Sequence, residues 1–316
     1  MILSEVSLIL CAHNPRRDFL QRVIGACVGQ DTPSAQVEMV LVDSASSPPL
    51  EEALLEGCNG RIVRSELPGL ARARVLGIQE SKGDYLVFVD DDTVLAPNYV
   101  SEALRILAER PYLGAIGGQL IPEYEGPLPL AESYYRNYLA IREFQVAQWS
   151  NRWDDFATSP IGGGMVVRRD VAQAWVTRCE ESTWRLALGR NGKQLSGGED
   201  IDLLHMACEM GYGKGILPEL ILTHVMPARR LTPEFLVQIY EGNCRSGAFL
   251  QAMMNDEFGM PPIRLRHHVK VLIESLGMSS LDRRLRIACE RGRRAGWKQA
   301  ISEKGISATA GNSLRA

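Results

Sequence analysis

The sequence predicts an α/β fold: a mostly parallel sheet flanked by helices, followed by a helical C-terminal extension. Three observations carry this. Short apolar runs alternate with stretches of helical periodicity through the first hundred residues. Polar clusters at 13–14, 43–47 and 90–92 close three of those runs. From Thr232 onward the pattern is almost entirely helical.

Taken in order, Val6 to Ala12 is an apolar strand running into the turn His13-Asn14-Pro15. Phe19, Leu20, Val23, Ile24 and Cys27 then repeat at helical spacing. Val37 to Val42 is a strand ending in Asp43-Ser44, and Arg61 to Val63 is a further short strand. Residues 70–81 form a helix, and Tyr85 to Val89 a buried strand that stops at Asp90-Asp91-Asp92. In parallel sheets of this kind ligands sit beyond the carboxyl ends of the strands, so the three polar clusters define a site. The middle is less regular. A Tyr- and Trp-rich helix is expected over 129–150, a glycine turn at 162–164 before the strand 165–167, a helix over 199–210, and a strand from Ile216 to Leu222 leading to His224. This divides the chain into a catalytic unit, 1–225, and a helical region, 226–316, whose last dozen residues are expected to be disordered.

Composition narrows the class. Hydrophobic residues make up 45% of the 316 and charged residues 23%, enough for a globular core. Residues 261–316 carry twelve Lys/Arg against four Asp/Glu, a balance of +8; since the whole chain carries −3, residues 1–260 carry −11. An acidic body with a basic tail argues against a nucleic-acid binder and for carboxylate chemistry. The seven cysteines are irregularly spaced without a C-x-x-C, as in a reduced cytoplasmic protein. MILSEVSLIL lacks a basic start and is interrupted by Glu5, unlike a signal peptide. No apolar run approaches the length of a membrane span.

Asp90-Asp91-Asp92 carries the strongest chemical signal. Adjacent carboxylates at the end of an apolar strand repel one another, and a hard divalent cation removes that repulsion; a solvated acidic loop is the plainer alternative. In Gly197-Gly198-Glu199-Asp200-Ile201-Asp202, two glycines permit close approach to a ligand and the acids open a helix. Acids there also serve the helix dipole alone. His224 gains meaning from its place at a strand end in a chain that already has the carboxylate cluster.

Six motifs in order give these residues company: Ser7-Leu8-Ile9-Leu10-Cys11-Ala12-His13-Asn14; Val42-Asp43-Ser44-Ala45-Ser46; Gly69-Leu70-Ala71-Arg72-Ala73-Arg74; Phe88-Val89-Asp90-Asp91-Asp92; Gly162-Gly163-Gly164-Met165; and Gly198-Glu199-Asp200. Together they resemble the family 2 glycosyltransferases over roughly residues 5–225. The resemblance implies the GT-A fold, a Rossmann-like sheet, and a nucleotide diphosphate sugar as donor. It implies a donor-nucleotide site of Ala12, His13, Asn14, Asp43, Arg74, Asp90 and Asp91. Asp92 and His224 would hold Mn²⁺ or Mg²⁺. Asp200 would be the general base with Glu199 beside it, and Gly163 and Gly164 would lie on the acceptor side. The chain departs from the family pattern at His13, Val75 and Gly164, where Tyr, Asn and Asn are usual; the metal and base assignments do not depend on these.

The implied reaction is a single displacement with inversion. A metal neutralises the leaving diphosphate and one carboxylate takes the acceptor proton. The expected acceptor is a carbohydrate or lipid-linked molecule, in polysaccharide or glycoconjugate synthesis. Two rivals are a nucleotidyltransferase and a non-catalytic sugar-nucleotide-binding protein of the same fold. The first would need a glycine-rich loop where His13-Asn14-Pro15-Arg16-Arg17 stands, and a nicotinamide enzyme would need a G-x-G-x-x-G after its first strand. Trp149, Trp153, Trp175 and Trp184 are candidates either for stacking on acceptor sugars or for the core. In 263–276, Leu265, Val269, Leu272 and Leu276 share a helical face beside Arg264, Arg266 and Lys270, and Arg283, Arg284, Arg286, Arg291, Arg293 and Arg294 extend the charge. That pattern suits either peripheral contact with an anionic membrane at its inner face or packing on the catalytic body.

Overall fold

Strand β1 (Ser4–Ala12) lies at the centre of the first half of the sheet, and its side chains alternate between two cores. Val6, Leu8 and Leu10 enter one, Ile9 and Cys11 the other. The same alternation divides β2 (Ala35–Ser44) and β4 (Tyr85–Asp90): Met39, Leu41, Val87 and Val89 face one way, Val40, Val42, Leu86 and Phe88 the other. A strand buried on both faces shows a continuous apolar run rather than alternation, which is why these three are so plain in the sequence. The structure, a computed structural model, describes residues 4–32, 35–190, 195–255 and 277–305.

Helices cover both faces. Helices α1 (Arg17–Val28) and α3 (Tyr99–Glu109) close the first core, with Leu20, Val23, Ile106 and Leu107. Helices α2 (Leu70–Glu80), α5 (Arg169–Glu181) and α6 (Glu199–Glu209) close the second, with Ala73, Ile78, Trp175, Leu203 and Leu204. The remaining strands are β3 (Gly60–Ser65), β5 (Thr93–Leu95), β6 (Leu113–Tyr124), β7 (Gln148–Ser150), β8 (Val166–Arg168) and β9 (Gly213–Met226). The order is β3-β2-β1-β4-β8-β6-β9-β5, with β7 on β9. Parallel pairing dominates because its ladders are long; each antiparallel ladder, β4–β8, β6–β8, β5–β9 and β7–β9, spans three residue pairs or fewer. The strand order reverses between β1 and β4, so their carboxyl ends, Ala12 and Asp90, flank the crevice where such sheets bind ligands.

The expected helix over 129–150 is corrected. Helix α4 spans only Glu132–Tyr138, and the chain turns at Ala140, whose φ is 55°. Leu120 and Arg142 then exchange backbone hydrogen bonds of 2.9 and 3.2 Å, and Gln148–Ser150 pairs with β9 as β7. An edge backbone open for pairing thus prevails over a helical side-chain pattern. The strand expected over 216–222 is longer, beginning at Gly213 and carrying His224 inside it.

Beyond β9, helix α7 (Pro233–Met254) returns across the body, and Phe249, Leu250 and Ala252 complete the second core. Thr232 caps it by accepting the Phe235 amide at 3.2 Å, with Pro233 in its first turn. Helix α8 (Ser280–Glu303) packs along α7. The amphipathic stretch 263–276 and the tail beyond 305 lie outside the described residues. No helix among the described residues is long and apolar enough to cross a membrane.

Candidate active site

Several chain segments meet around the ends of β1, β4 and β9. At the end of β1, Ala12 is buried and His13 and Asn14 are exposed. His13 Nδ1 lies 2.6 Å from the Ser44 carbonyl; Asn14 donates its amide to Ser46 Oγ at 2.9 Å and accepts from the Ser47 amide at 2.8 Å. Asp43 is buried. Its carboxylate accepts from the Ser46 and Leu50 amides at 2.8 and 3.1 Å and from Arg64 at 2.5 Å. Burial alone would raise its pKa, but these hydrogen bonds hold it below the usual carboxylate range. Asp43, expected in the donor-nucleotide site, thus also shapes the 43–50 loop.

Arg74 is the hub. It is 1% exposed and donates to Glu199 Oε1 at 3.0 Å and to Asp90 Oδ1 at 3.4 Å, joining the two acidic motifs from beneath. Burial opposes its charge, yet Glu199, Asp90 and Asp200 keep the guanidinium firmly protonated. Burial lifts the Glu199 carboxyl to about 7 against the attraction of Arg74, and its Oε2 has no hydrogen-bond partner among the described residues. For Glu199, desolvation outweighs the ion pair. Glu199 thus faces inward, while Asp200, the next residue on α6, faces the opening. Asp200 accepts from the Gly162 amide at 3.3 Å and from the Ile201 amide at 2.8 Å. Asp202 is fixed inside by Trp175 Nε1 at 2.7 Å and by Arg185, which removes it as an alternative base.

The glycine turn joins these acids. Gly163 leaves room for Asp90: a Cβ there would lie 3.0 Å from Asp90 Oδ2. Gly164 has φ of 84°, its backbone bonds Phe88 and Tyr99, and a Cβ would overlap Leu222. Both glycines are buried. The departure from the usual Asn at 164 therefore has a packing reason.

At the third strand end, Asp92 is buried with Arg230 NH1 2.6 Å from Oδ2 and His224 Nε2 3.9 Å from Oδ1. Burial works to raise the Asp92 pKa, but Arg230, His224 and Arg190 hold it low. Asp91 is pushed up to about 7 by burial and by Asp92 and Asp90, with Arg230 and Arg190 opposing. Burial lowers the His224 pKa despite Asp92, keeping the imidazole neutral, and its Nδ1 has no hydrogen-bond partner among the described residues. Among the described residues no three His, Cys, Asp or Glu side chains converge as a closed metal cage. Asp92 and His224 still suit a divalent ion: one hard carboxylate and one neutral imidazole, the rest of the shell left to donor phosphates and water. Arg230 lies on the single turn after β9, and the sequence marks it only by a pair of arginines soon after His224.

Beside Asp200 opens a cavity of about 1010 Å³ lined by Trp153, Phe156, Asn243, Gln251 and Arg293 among others. Gly197 and Gly198 line it; Gly163 and Gly164 do not. Lys214, fully buried, holds the 153–159 loop against it by donating to the Asp155 carbonyl at 2.7 Å and to Ser159 Oγ at 2.5 Å. Of the four tryptophans considered, Trp153 alone lines this cavity. Trp175 is fully buried, Trp184 packs edge-on against Phe249, and Trp149 stands against Tyr112.

Residues 7–174, more than half of the chain, match the model of the family described as Glycosyl transferase family 2. The match spans Asp43, Arg74, Asp90 and Asp92; Glu199, Asp200 and His224 lie beyond it. A Haemophilus influenzae protein described as an uncharacterized glycosyltransferase is 30% identical over 87 residues. That stretch covers 26% of this chain and 29% of the relative.

Proposed function

The chain belongs to glycosyl transferase family 2, and on that premise we propose that it moves a sugar from a nucleotide diphosphate donor to an acceptor hydroxyl with inversion at the anomeric carbon. The observation that carries this is the position of Asp200. One carboxylate oxygen meets the glycine turn that adjoins Asp90, and the residue also lines the large cavity. Donor and acceptor would therefore approach it from opposite sides.

The chain's own residues divide the work. The loops after β1 and β2, fastened together through Asn14, Ser46 and Asp43, form the nucleotide side. Asp90 and Asp91, next along the crevice, would complete the donor-nucleotide site. Asp92 and His224 would hold Mn²⁺ or Mg²⁺, which when bound neutralises charge on the departing diphosphate. Asp200 takes the acceptor proton as the hydroxyl attacks. Glu199 and Arg74 act as positioning residues: they fix the first turn of α6, and with it the Asp200 carboxylate. One base suffices for single displacement, whereas retention would call for a second carboxylate as nucleophile. The cavity, with Trp153 and Phe156 on one wall and Asn243, Gln251 and Arg293 on others, suits an extended acceptor with apolar faces and hydroxyls, such as a carbohydrate or lipid-linked carbohydrate.

Nucleotide release from a panel of sugar nucleotides, with Mn²⁺ and with EDTA, tests the reaction and identifies the donor. Asp200→Asn keeps the shape and removes the proton acceptor, so turnover should fall roughly a hundredfold or more while donor affinity stays near wild type. Unchanged turnover would place the base elsewhere. NMR of the product decides the stereochemistry, since a retained anomeric configuration contradicts a single displacement.

A further inference from the structure

Helices α7 and α8 lie closer than ordinary side chains allow. A Cβ on Gly292 would overlap the Glu241 carbonyl oxygen, and one on Gly296 would overlap the Arg245 carbonyl. Two glycines one turn apart thus seat α8 directly on the α7 backbone. Arg291 pairs with Glu241 and Arg284 with Glu234 along the same contact, which fixes its register. Cys244 lies on α7 between Glu241 and Arg245, and Cys289 lies on α8 one turn before Gly292. The close contact brings their sulfurs to 2.8 Å, inside the van der Waals separation of two unbonded sulfur atoms. Both thiols are half-buried and both line the cavity that opens beside Asp200. Small oxidants can therefore reach them.

We propose that Cys244 and Cys289 form a peroxide-sensitive dithiol, and that its oxidation joins α7 to α8 by a disulfide in the wall of the cavity. The surroundings decide which sulfur reacts first. The hydrogen bond from Cys244, then Tyr240 and the nearby Arg293 charge, outweigh burial and bring the Cys289 thiol down to about 6. Cys244 is raised by the same contact and by burial. Cys289 is thus the thiolate and Cys244 holds the shared proton. The Cys289 thiolate attacks one oxygen of hydrogen peroxide, breaking the O–O bond and leaving a sulfenic acid and hydroxide. Cys244 then attacks the Cys289 sulfur, the S–O bond breaks, and a second hydroxide leaves. The thiol protons convert both hydroxides to water. In sum two thiols and one peroxide give one disulfide and two waters: sulfur is oxidised by two electrons and peroxide is reduced by two. The bond falls where the acceptor is proposed to sit, but its formation does not depend on that reading.

The test is peptide mapping of the full-length protein after hydrogen peroxide treatment and alkylation without reductant. Two of the seven thiols should be lost to alkylation, with a linked pair of peptides containing Cys244 and Cys289, and dithiothreitol should restore both. Cys58 and Cys208, also half-buried, are the internal controls and should alkylate as before. In Cys244→Ser the linked pair should vanish and Cys289 should be captured by dimedone as its sulfenic acid; Cys289→Ala should show neither product. Full alkylation of Cys244 and Cys289 after peroxide, or linkage of either to a different cysteine, would overturn the proposal.

Discussion

Arg74 brings the two acidic motifs of this chain to one point. They are more than a hundred residues apart, and one guanidinium with 1% exposure reaches both. The cost of the arrangement falls on Glu199, which is buried, has one oxygen without a partner among the described residues, and is lifted to about 7. A carboxyl whose folded pKa lies above its unfolded value binds more protons folded than unfolded between those two values. Its contribution to stability therefore falls as pH rises from about 4.5 to about 7 and is level outside that window. Glu199→Gln mimics the protonated form and removes the slope. Relative to wild type, the variant should gain on the order of 1–3 kcal/mol between pH 4.5 and 7.5, measured by denaturant unfolding at several pH values. A difference that does not vary with pH would show that Arg74 keeps Glu199 ionised throughout.

The elements divide into those their residues announce and those they conceal. Strands β1, β2 and β4 are legible because burial on both faces leaves only apolar residues. Asp90 and Asp92 are legible because they close such a strand, Glu199 and Asp200 because they open a helix behind two glycines, and His224 because it follows an apolar run in β9. Strand β6 is concealed by its own packing. Gly117 lies against Pro160 and Gly118 against Leu220, so the residues that permit close contact also erase the strand pattern. The aromatic stretch ending at Trp149 misleads for the opposite reason: its spacing is helical, but β9 offers an edge and β7 takes it. The cavity is not written in any local pattern. Trp153 and Phe156 come from one loop, Asn243 and Gln251 from α7 and Arg293 from α8, and only the fold unites them. Arg230 is hidden in the same way, since its meaning depends on which carboxylate it meets.

On the scale of the molecule, the basic C-terminal region has two parts. The apolar side of α8, with Leu281, Leu285 and Ala288, is buried, and Arg284 and Arg291 pair with acids of α7. That helix is committed to the protein. Membrane contact therefore rests on 263–276, where Arg264, Arg266 and Lys270 together would contribute about 3 kcal/mol at an anionic surface. The protein should sediment with anionic vesicles at low salt and release at high salt. Replacing those three residues by Gln should abolish sedimentation. Wild-type protein that stays in the supernatant at low salt would rule the contact out.

The arginines around Asp92 have a consequence for the order in which ligands arrive. Arg230 touches Asp92, and the charge of Arg190 also acts on Asp91 and Asp92, so the acids are already balanced before any ligand enters. A divalent ion arriving alone would meet resident positive charge at Asp92, and a diphosphate arriving alone would meet carboxylates. Arriving as a pair, each would supply what the other lacks: Asp92 would be free to hold the ion and Arg230 free to meet phosphate oxygen. The two ligands should be thermodynamically linked, each tightening the other by the same factor. Mn²⁺ titrations followed by electron paramagnetic resonance, with and without nucleoside diphosphate, measure that factor. It should be roughly tenfold or more in the wild type, a coupling of about 1.4 kcal/mol. In Arg230→Ala, Mn²⁺ alone should bind more tightly, nucleoside diphosphate alone more weakly, and the factor should shrink toward one. Equal Mn²⁺ affinity in the two proteins would mean that the guanidinium never stood in the ion's way.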